Sequence, residues 1–392
     1  MAIKEINLSK KRSFETQPHS VTWLNLDSVE SRYLLAARSD GNFVCFDTFQ
    51  QHLPNQALKN IFNSSGNRMS HSYSINCIQW YPIDTGMFFT SSMDKRFKIW
   101  DTANMVVVDE YNLDQKIYNH HASALSSSLK KNVIALALDD GQIRLIDIDS
   151  GSFTHTLKAH THGHCVSAQW SPIEPHILAS AGSDGRIFLW DIRSSKSCLN
   201  CFDLEKSINY KVKSSKKQSK SYSLKSLAHT GPIIGLTYTN DGNYLISLGK
   251  DNALRLWNSH NGLNTLVNYG RVNVNSAAAE SCVQISCTEM CSSNCIIVPS
   301  EANLMVYDIL GGEETHKLKA HFDSINCCLY NPASREIYSG SKDKNILVWN
   351  SEIDDMKNMS IAANPGNNLN SLLANMGQTS VFSRRDDWSD ED

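Results

Sequence analysis

The sequence has no apolar run that approaches the roughly 18 residues of a membrane-spanning helix. Residues 1–5 lack the apolar stretch of a secretory signal. Lys and Arg number 37 against 40 Asp and Glu, so no excess charge of one sign favours nucleic acid or a membrane surface as the main partner. We therefore expect an intracellular protein that does not enter a membrane.

The sequence also lacks a cysteine framework and a phosphate-binding loop. Its 11 cysteines are an odd number and are scattered, which does not suit a set of structural disulfides. Reduced thiols that fill the core explain them better. Six of them lie in apolar or repeat segments: Cys77, Cys327, Cys328, Cys287, Cys291 and Cys295. No G-x-x-x-x-G-K-[ST] motif is present, and we expect no cofactor.

Two short patterns could suggest a metal site, and neither is complete. His160, His162 and His164 alternate, so on an extended segment they would share one face. No carboxylate or thiol at suitable spacing completes their ligand set. Cys198 and Cys201 form a single C-x-x-C pair without the second pair that a zinc site requires. We therefore predict no bound metal.

The sequence does contain an internal repeat, in which a turn residue precedes an apolar strand residue by six positions. Four copies end in tryptophan: Asp94 to Trp100, Asp184 to Trp190, Asp251 to Trp257 and Asp343 to Trp349. Three copies are degenerate: Asp40 to Phe46, Asp140 to Ile146 and Glu301 to Tyr307. The separation of successive endpoints ranges from 42 residues, between 307 and 349, up to 67 residues, between 190 and 257. Because a WD repeat takes about 40–45 residues, the spacing predicts an all-β, seven-bladed WD-repeat β-propeller with some inserted loops.

The four strong copies share a set of four polar residues, which we call a tetrad. The tetrads are His71, Thr90, Asp94 and Trp100; His160, Ser180, Asp184 and Trp190; His229, Ser247, Asp251 and Trp257; and His321, Ser339, Asp343 and Trp349. An indole N–H can donate to a hydroxyl, the hydroxyl to an imidazole and the imidazole to a carboxylate. Such a chain satisfies buried polar groups and ties strands together. A catalytic triad would occur once, so the fourfold repetition predicts a structural role and a protein that is not an enzyme.

The repeats divide the chain into three parts. We predict an N-terminal segment over residues 1–18, the propeller over residues 19–351 and a disordered, acidic-ended tail over residues 352–392. The third strand of the last blade ends near Asn350, and the residues that follow make a poor strand. A propeller needs a fourth strand to close that blade and protect its edge. We expect a segment near Ile3 to Leu8 to supply it.

Two charged segments stand outside the repeat pattern. Residues 206–225 contain seven lysines and six serines and no acid, which predicts a flexible, solvated insertion. A basic contact for DNA, RNA or an acidic partner is the alternative. Only Tyr210 and Tyr222 could stack on bases, so direct nucleic-acid binding is not expected. Trp388, among the acidic residues of the tail, suits a short docking motif or a solubilising tail.

Several strings go beyond a generic WD repeat. Residues 79–88, Gln-Trp-Tyr-Pro-Ile-Asp-Thr-Gly-Met-Phe, closely resemble the second repeat of the Cockayne syndrome group A family. A stretch from Leu254-Arg255-Leu256-Trp257 to Asn268-Tyr269-Gly270 is also similar, as is the acidic end around Trp388. The resemblance covers all seven repeats, roughly residues 19–351, and is weakest in residues 206–225.

The resemblance implies a non-catalytic substrate receptor of a Cullin-4 RING ubiquitin ligase. Receptors of that family act in transcription-coupled nucleotide excision repair, where RNA polymerase II stalls at a DNA lesion. They are similar to other WD-repeat receptors that dock on a propeller-built adaptor. The resemblance thus implies a nuclear protein that brings the Cockayne syndrome group B translocase and the stalled polymerase near the ligase.

One motif of this class of receptor is present and another segment departs from the family. The W-D-x-R signature stands here as Trp190, Asp191, Ile192 and Arg193, and the resemblance assigns Trp190, Asp191 and Arg193 to adaptor binding. The alternative is that Arg193 is a solvated charge after a strand. The family docks with an additional N-terminal helix-loop-helix, for which residues 1–18 are too short.

Two other functions remain open from the sequence. A WD-repeat scaffold in a different nuclear complex, such as one of chromatin or RNA processing, would share the fold. A hydrolase built on a propeller would need an acid, a base and a nucleophile clustered off the repeat pattern in the central channel, and the sequence offers no such cluster.

Overall fold

The computed structural model describes residues 6–9, 14–49, 57–123, 132–158, 160–194, 198–212, 227–274, 282–290 and 293–350. Within these ranges the strands form seven antiparallel sheets, each made of strands that are consecutive along the chain except in the last. The chain is therefore a seven-bladed β-propeller, as the repeat spacing predicted. None of the described helices is long and apolar enough to cross a membrane.

The strands of the first four blades follow one another without a crossover. Blade 1 contains β2 (Val21–Leu26), β3 (Tyr33–Arg38), β4 (Phe43–Asp47) and β5 (Asn60–Asn63). Blade 2 contains β6 (Ile75–Trp80), β7 (Met87–Ser92), β8 (Arg96–Asp101) and β9 (Val106–Asn112). Blade 3 contains β10 (Ile117–Ala122), β11 (Val133–Leu138), β12 (Gln142–Asp147) and β13 (Ser152–Lys158). Blade 4 contains β14 (Cys165–Trp170), β15 (Ile177–Gly182), β16 (Ile187–Asp191) and β17 (Cys198–Cys201).

The last three blades are less regular. Blade 5 contains β18 (Ile233–Tyr238), β19 (Tyr244–Gly249) and β20 (Leu254–Asn258). Blade 6 contains β21 (Ser286–Met290), β22 (Ser293–Ser300), β23 (Asn303–Asp308) and β24 (Glu314–Lys319). Blade 7 contains β25 (Ile325–Asn331), β26 (Glu336–Ser341), β27 (Ile346–Asn350) and the N-terminal β1 (Asn7–Leu8). Each of the seven repeat endpoints lies in the third strand of its blade.

Burial explains why the inner strands are so apolar. The second strand of blade 3, Val-Ile-Ala-Leu-Ala-Leu, is buried at every position, because neighbouring blades cover both of its faces. The outer strand β13 is exposed at six of its seven positions and carries Ser, Thr and His. Hydrophobic clusters lie between adjacent blades, so the core is distributed around the ring.

The N-terminal strand completes blade 7. Asn7 pairs with Asn350 and Leu8 with Trp349 in an antiparallel register. The backbone N–H of Ser9 donates to the Val348 carbonyl at 2.8 Å. Ile6 is buried in the cluster that contains Trp349. The chain ends that flank the propeller thus meet in one sheet.

A flexible insertion was predicted over residues 206–225, and this is wrong for residues 206–212. Residues Leu204–Val212 form helix α1. Asp203 caps it, since its Oδ1 accepts the N–H groups of Glu205 at 2.9 Å and Lys206 at 3.3 Å. Ser207 is buried, and its Oγ accepts the N–H of Asn264 at 2.9 Å. The lysine content of this segment predicted a coil, although Asp203 is a residue type that commonly caps helices. Residues 213–225 of the insertion and the whole tail, residues 352–392, lie outside the described residues.

Candidate interaction surfaces

The four tetrads form the hydrogen-bonded chains that their residue types allow. In blade 4, Trp190 Nε1 donates to Ser180 Oγ at 2.9 Å, and His160 contacts Ser180 Oγ at 3.1 Å and Asp184 Oδ1 at 2.8 Å. The other three tetrads repeat the same contacts, and all twelve distances, three in each of four blades, lie between 2.7 and 3.1 Å.

The strand register explains the six-residue interval. Ser180 on β15 lies opposite Phe188 on β16, and Trp190 is two residues further along the same face. That diagonal position brings the indole N–H to the hydroxyl. The same offset holds for Thr90 with Trp100 and for Ser247 with Trp257. The interval is therefore fixed by the hairpin that the tetrad stabilises.

Burial and hydrogen bonding determine the protonation states of the histidines and aspartates in the tetrads. Desolvation lowers the pKa of His71, His229 and His321, so these rings are neutral at physiological pH. Burial by itself would raise the pKa of Asp184, but the hydrogen bond and charge interaction with His160, together with the N–H and charge of Arg186, outweigh it, and the pKa lies below its usual value. Each hydroxyl is fully buried and already engaged by its Trp and His, so it is not available to a substrate.

In two of the degenerate blades, other hydrogen-bonding residues take the place of the tetrad, and the sequence did not indicate them. In blade 1, Arg38 is fully buried and donates to Ser65 Oγ at 2.6 Å, Asn63 Oδ1 at 3.3 Å and Asp40 at 3.3 Å. In blade 3, Tyr118 donates to Asp139 Oδ1 at 2.9 Å. Arg38 lies two residues before the turn acid Asp40, and no local motif in the sequence marks it as a replacement for a tetrad residue.

The central channel is occupied by the chain itself. The N–H of Val283 donates to Ile234 of blade 5 at 2.7 Å, and the N–H of Gln284 donates to Asn326 of blade 7 at 3.1 Å. The Gln284 side chain spans to blade 1, where it bonds both the N–H and the carbonyl of Leu24 at 3.2 and 2.7 Å. The cavity that remains measures about 160 Å³. A cavity of this size holds a few waters and no polypeptide.

Two histidines that line the channel, the buried His120 and the half-buried His121, predict a pH-dependent stability. Burial lowers the pKa of His120 to about 3 and of His121 to about 4. Unfolding restores a pKa near 6.5, so the unfolded chain takes up protons first as the pH falls. Their contribution is complete above about pH 6.5 and is lost progressively below it. We expect thermal denaturation to show a melting temperature that falls between about pH 7 and pH 5.

The variant His121→Gln should reduce this pH dependence. His121 Nδ1 accepts the N–H of Trp170 at 3.1 Å, and Gln79 Oε1 accepts the equivalent N–H of Ala122 at 2.8 Å one blade earlier. Glutamine therefore suits the position. The exposed His162 is the control, and His162→Gln should leave the slope unchanged. A slope that is identical in wild type and His121→Gln would show that the channel histidine is not responsible.

The histidines and cysteines considered for a metal site have separate roles in the structure. His160 belongs to its tetrad, His162 is exposed, and the His164 ring stacks on Tyr118 with centroids 4.6 Å apart. Cys198 and Cys201 lie in β17, paired with Trp190 and Phe188. Across the described residues no group of three His, Cys, Asp or Glu side chains could hold a metal ion.

The described cysteines are reduced and mostly buried. Ten are free thiols, and Cys77, Cys327 and Cys328 are among the buried ones. Burial raises the pKa of each of these three, which makes them poor nucleophiles. Cys287 and Cys295 contribute to the core around blade 6, whereas Cys291 lies outside the described residues.

The topology gives the propeller two faces. The turns between second and third strands, and the connections to the next blade, carry the tetrad Asp and His residues; we call this the tetrad face. Because successive strands are antiparallel, the turns between third and fourth strands lie on the opposite side. Arg193 follows the third strand of blade 4 and lies there, and we call this the Arg193 face.

Arg193 is exposed and held in place. Its side chain is 60% exposed, and its Nε and Nη2 donate to the two carboxylate oxygens of Asp191 at 3.0 and 2.8 Å. The bonds with Arg193 lower the pKa of Asp191, so the carboxylate is ionised. Among the described residues two of the five guanidinium N–H groups are thus used, and three remain for a partner. Trp190 is buried in its tetrad, so of the three residues assigned to adaptor binding only Asp191 and Arg193 reach the surface.

Comparisons with known proteins agree with this architecture. The family model "WD domain, G-beta repeat" matches residues 63–101, 151–191, 221–258 and 312–350, which end in the four tetrad tryptophan strands. The WD repeat-containing protein ATCSA-1 of Arabidopsis thaliana is 30% identical over 452 residues, covering 99% of this chain and 94% of that protein. Radiation-sensitive protein 28 of Saccharomyces cerevisiae is 40% identical over 78 residues, which are 20% of this chain and 15% of that protein.

Proposed function

The chain belongs to the Cockayne syndrome group A family of WD-repeat proteins, and we propose that it is the substrate-recognition subunit of a Cullin-4 RING ubiquitin ligase in transcription-coupled nucleotide excision repair. In this proposal the protein is nuclear and non-catalytic. Its partners are the Cullin-4 adaptor propeller, the ligase assembled on it, the group B translocase and stalled RNA polymerase II.

The near full-length match to ATCSA-1 supports a whole receptor of this family and not a shared repeat alone. The name of the yeast relative refers to radiation sensitivity, which is a phenotype expected when DNA repair fails. The filled channel and the buried tetrad hydroxyls support a binding role over the hydrolase alternative. No catalytic family is indicated by the comparisons.

The observation that carries the adaptor assignment is the geometry of Arg193. Asp191 fixes the guanidinium in one orientation on an exposed turn, which reduces the side-chain entropy lost on binding. Three N–H donors then face outward, and a carboxylate or carbonyl cluster on the adaptor suits them. The tetrad of the same blade is separate from this pair, so the site can be changed without damaging the fold.

We expect Arg193→Glu to weaken binding of the adaptor by about thirtyfold or more, as for an interfacial arginine. The reversed charge would also repel Asp191 and leave an unpaired acid in the interface, so the loss should exceed that of Arg193→Ala. The melting temperature should stay near that of wild type. A pull-down of the adaptor and the translocase side by side, with thermal denaturation of both variants, measures these effects.

The matched control is Arg335→Glu, an exposed arginine on a turn of the same face in blade 7. It should bind the adaptor like wild type. Both arginine variants should retain the translocase. Adaptor binding by Arg193→Glu at the wild-type level would remove the residue-level basis for a ligase receptor. It would favour the alternative function, a WD-repeat scaffold of another nuclear complex.

A further inference from the structure

An apolar side chain is exposed close to Arg193 on the same face of the propeller. Ile173 lies in the turn between β14 and β15 and is 46% exposed. This turn is joined to the Arg193 turn, because the N–H of Ile192 donates to the His176 carbonyl at 3.2 Å. Single exposed isoleucines are common on protein surfaces, so exposure alone indicates no function. The position of Ile173 beside Arg193 is what distinguishes it.

The turn that carries Ile173 is held in one shape within blade 4. Pro172 comes directly before Ile173, and the proline ring fixes the φ angle at that position. The Oγ of the buried Ser171 accepts the N–H groups of Ile173 at 3.4 Å and Glu174 at 3.1 Å. A side chain on such a turn loses little conformational entropy on binding, which favours it as an anchor.

Blade 5 supports the same side chain from the neighbouring turn. Gly242, between β18 and β19, has a φ of +65°, which favours glycine. A Cβ atom at Gly242 would lie 2.6 Å from Ile173 Cγ1, so a larger residue would displace the isoleucine. The two blades meet again at Glu174, whose Oε1 lies 4.0 Å from His260 Nδ1. Ile173 therefore lies at a junction that blades 4 and 5 build together.

Blade 2 contains the same apolar turn without the arginine. Residues 80–84, Trp-Tyr-Pro-Ile-Asp, match residues 170–174, Trp-Ser-Pro-Ile-Glu, position by position. Ile83 occupies the place of Ile173 and is 41% exposed. Blade 2 has Ala103 where blade 4 has Arg193. The two blades thus separate the effect of an exposed isoleucine from the effect of an isoleucine next to Arg193.

We propose that Ile173 is a second contact of the adaptor, an apolar anchor that binds next to Arg193. This inference rests on the proposed function, since it takes the adaptor as the partner of the Arg193 site. The adaptor surface that fits has an apolar side chain or pocket beside the acceptors that bind the guanidinium. Arg193 alone could be satisfied by many acceptors, whereas the pair also requires an apolar group at a fixed place. Ile173 therefore contributes to specificity as well as to affinity.

The test is the affinity of the purified adaptor for the full chain, measured by biolayer interferometry. Ile173→Ser should weaken binding by about tenfold, because the exposed part of the isoleucine is no longer buried against an apolar group. The loss should be the same at low and at high salt, since an apolar contact is not screened. Ile173→Val keeps a β-branched apolar side chain and should bind within about threefold of wild type.

The matched control is Ile83→Ser, which makes the same change in the equivalent turn of blade 2 and should bind the adaptor like wild type. Melting temperatures verify that every variant is folded. Wild-type affinity of Ile173→Ser, with Arg193→Glu still defective, would overturn this inference and leave the proposed function in place. Equal losses in the two serine variants would also overturn it, because the contact would not belong to the Arg193 site. If the wild-type chain does not bind the adaptor, both the inference and the proposed function are wrong.

Discussion

Deleting residues 1–12 is expected to lower the free energy of unfolding of the propeller by about 3–6 kcal/mol. The deletion removes Ile6 from the core of blade 7 and leaves the edge of β27 without its partner strand. Truncating a buried isoleucine costs about 2–5 kcal/mol, and each lost hydrogen bond about 1 kcal/mol more. The melting temperature should fall by about 5–10 °C.

Point variants separate the burial of Ile6 from the pairing of the strand. Ile6→Ala should reproduce much of the loss, because the side chain packs in the cluster of Trp349. Leu8 lies in the same strand with 41% of its surface exposed, so Leu8→Ala should cost about 0.5 kcal/mol or less. If the 1–12 deletion melts at the wild-type temperature, blade 7 does not depend on β1 for its stability.

The sequence was sufficient for the fold because the fold repeats one local geometry. The Asp-to-Trp interval follows from a hairpin register, as the Ser180, Phe188 and Trp190 positions show. The six-residue spacing is kept even where the Asp or the Trp at its ends is replaced by another residue. The blades ending at Phe46, Ile146 and Tyr307 could therefore be placed without a tetrad, although the family model does not match them.

What the sequence did not indicate depends on contacts between distant parts of the chain. The burial of Arg38 on β3 depends on Asn63 at the end of the outer strand β5 and on Ser65 in the turn that follows it. The Gln284 side chain reaches blade 1 across the channel because the backbone N–H groups of Val283 and Gln284 are held by blades 5 and 7. Neither position has a local period or motif that predicts it. Helix α1 was missed for a different reason, since its Asp203 cap was visible but the lysine content suggested a coil.

The candidate sites were predictable to different extents. The tetrad residues form a cross-strand pattern that recurs, so their identities follow from spacing. Arg193 could be singled out only by resemblance to a family, because a charge after a strand is common. The structure adds that Asp191 orients it.

Asp184→Ala should lower the free energy of unfolding by about 1–3 kcal/mol, and this loss should precede any loss of binding. Asp184 accepts the Nδ1–H of His160 at 2.8 Å and the N–H of Arg186 at 3.2 Å. Without it the imidazole, which is buried, keeps a donor with no partner. An unpaired donor in a low-dielectric interior costs more than the hydrogen bond contributed.

The matched control is Asp114→Ala, an exposed aspartate in the connection between blades 2 and 3, which should change stability by about 0.5 kcal/mol or less. Asp184→Asn should lie between the two, because its amide oxygen can still accept from His160. Chemical denaturation of the single variants and of the Asp184→Ala, Ser180→Ala pair completes the test. The pair should cost less than the sum, since both changes break one hydrogen-bonded chain. A variant Asp184→Ala that unfolds like wild type yet has lost its partners would instead make this tetrad a binding site.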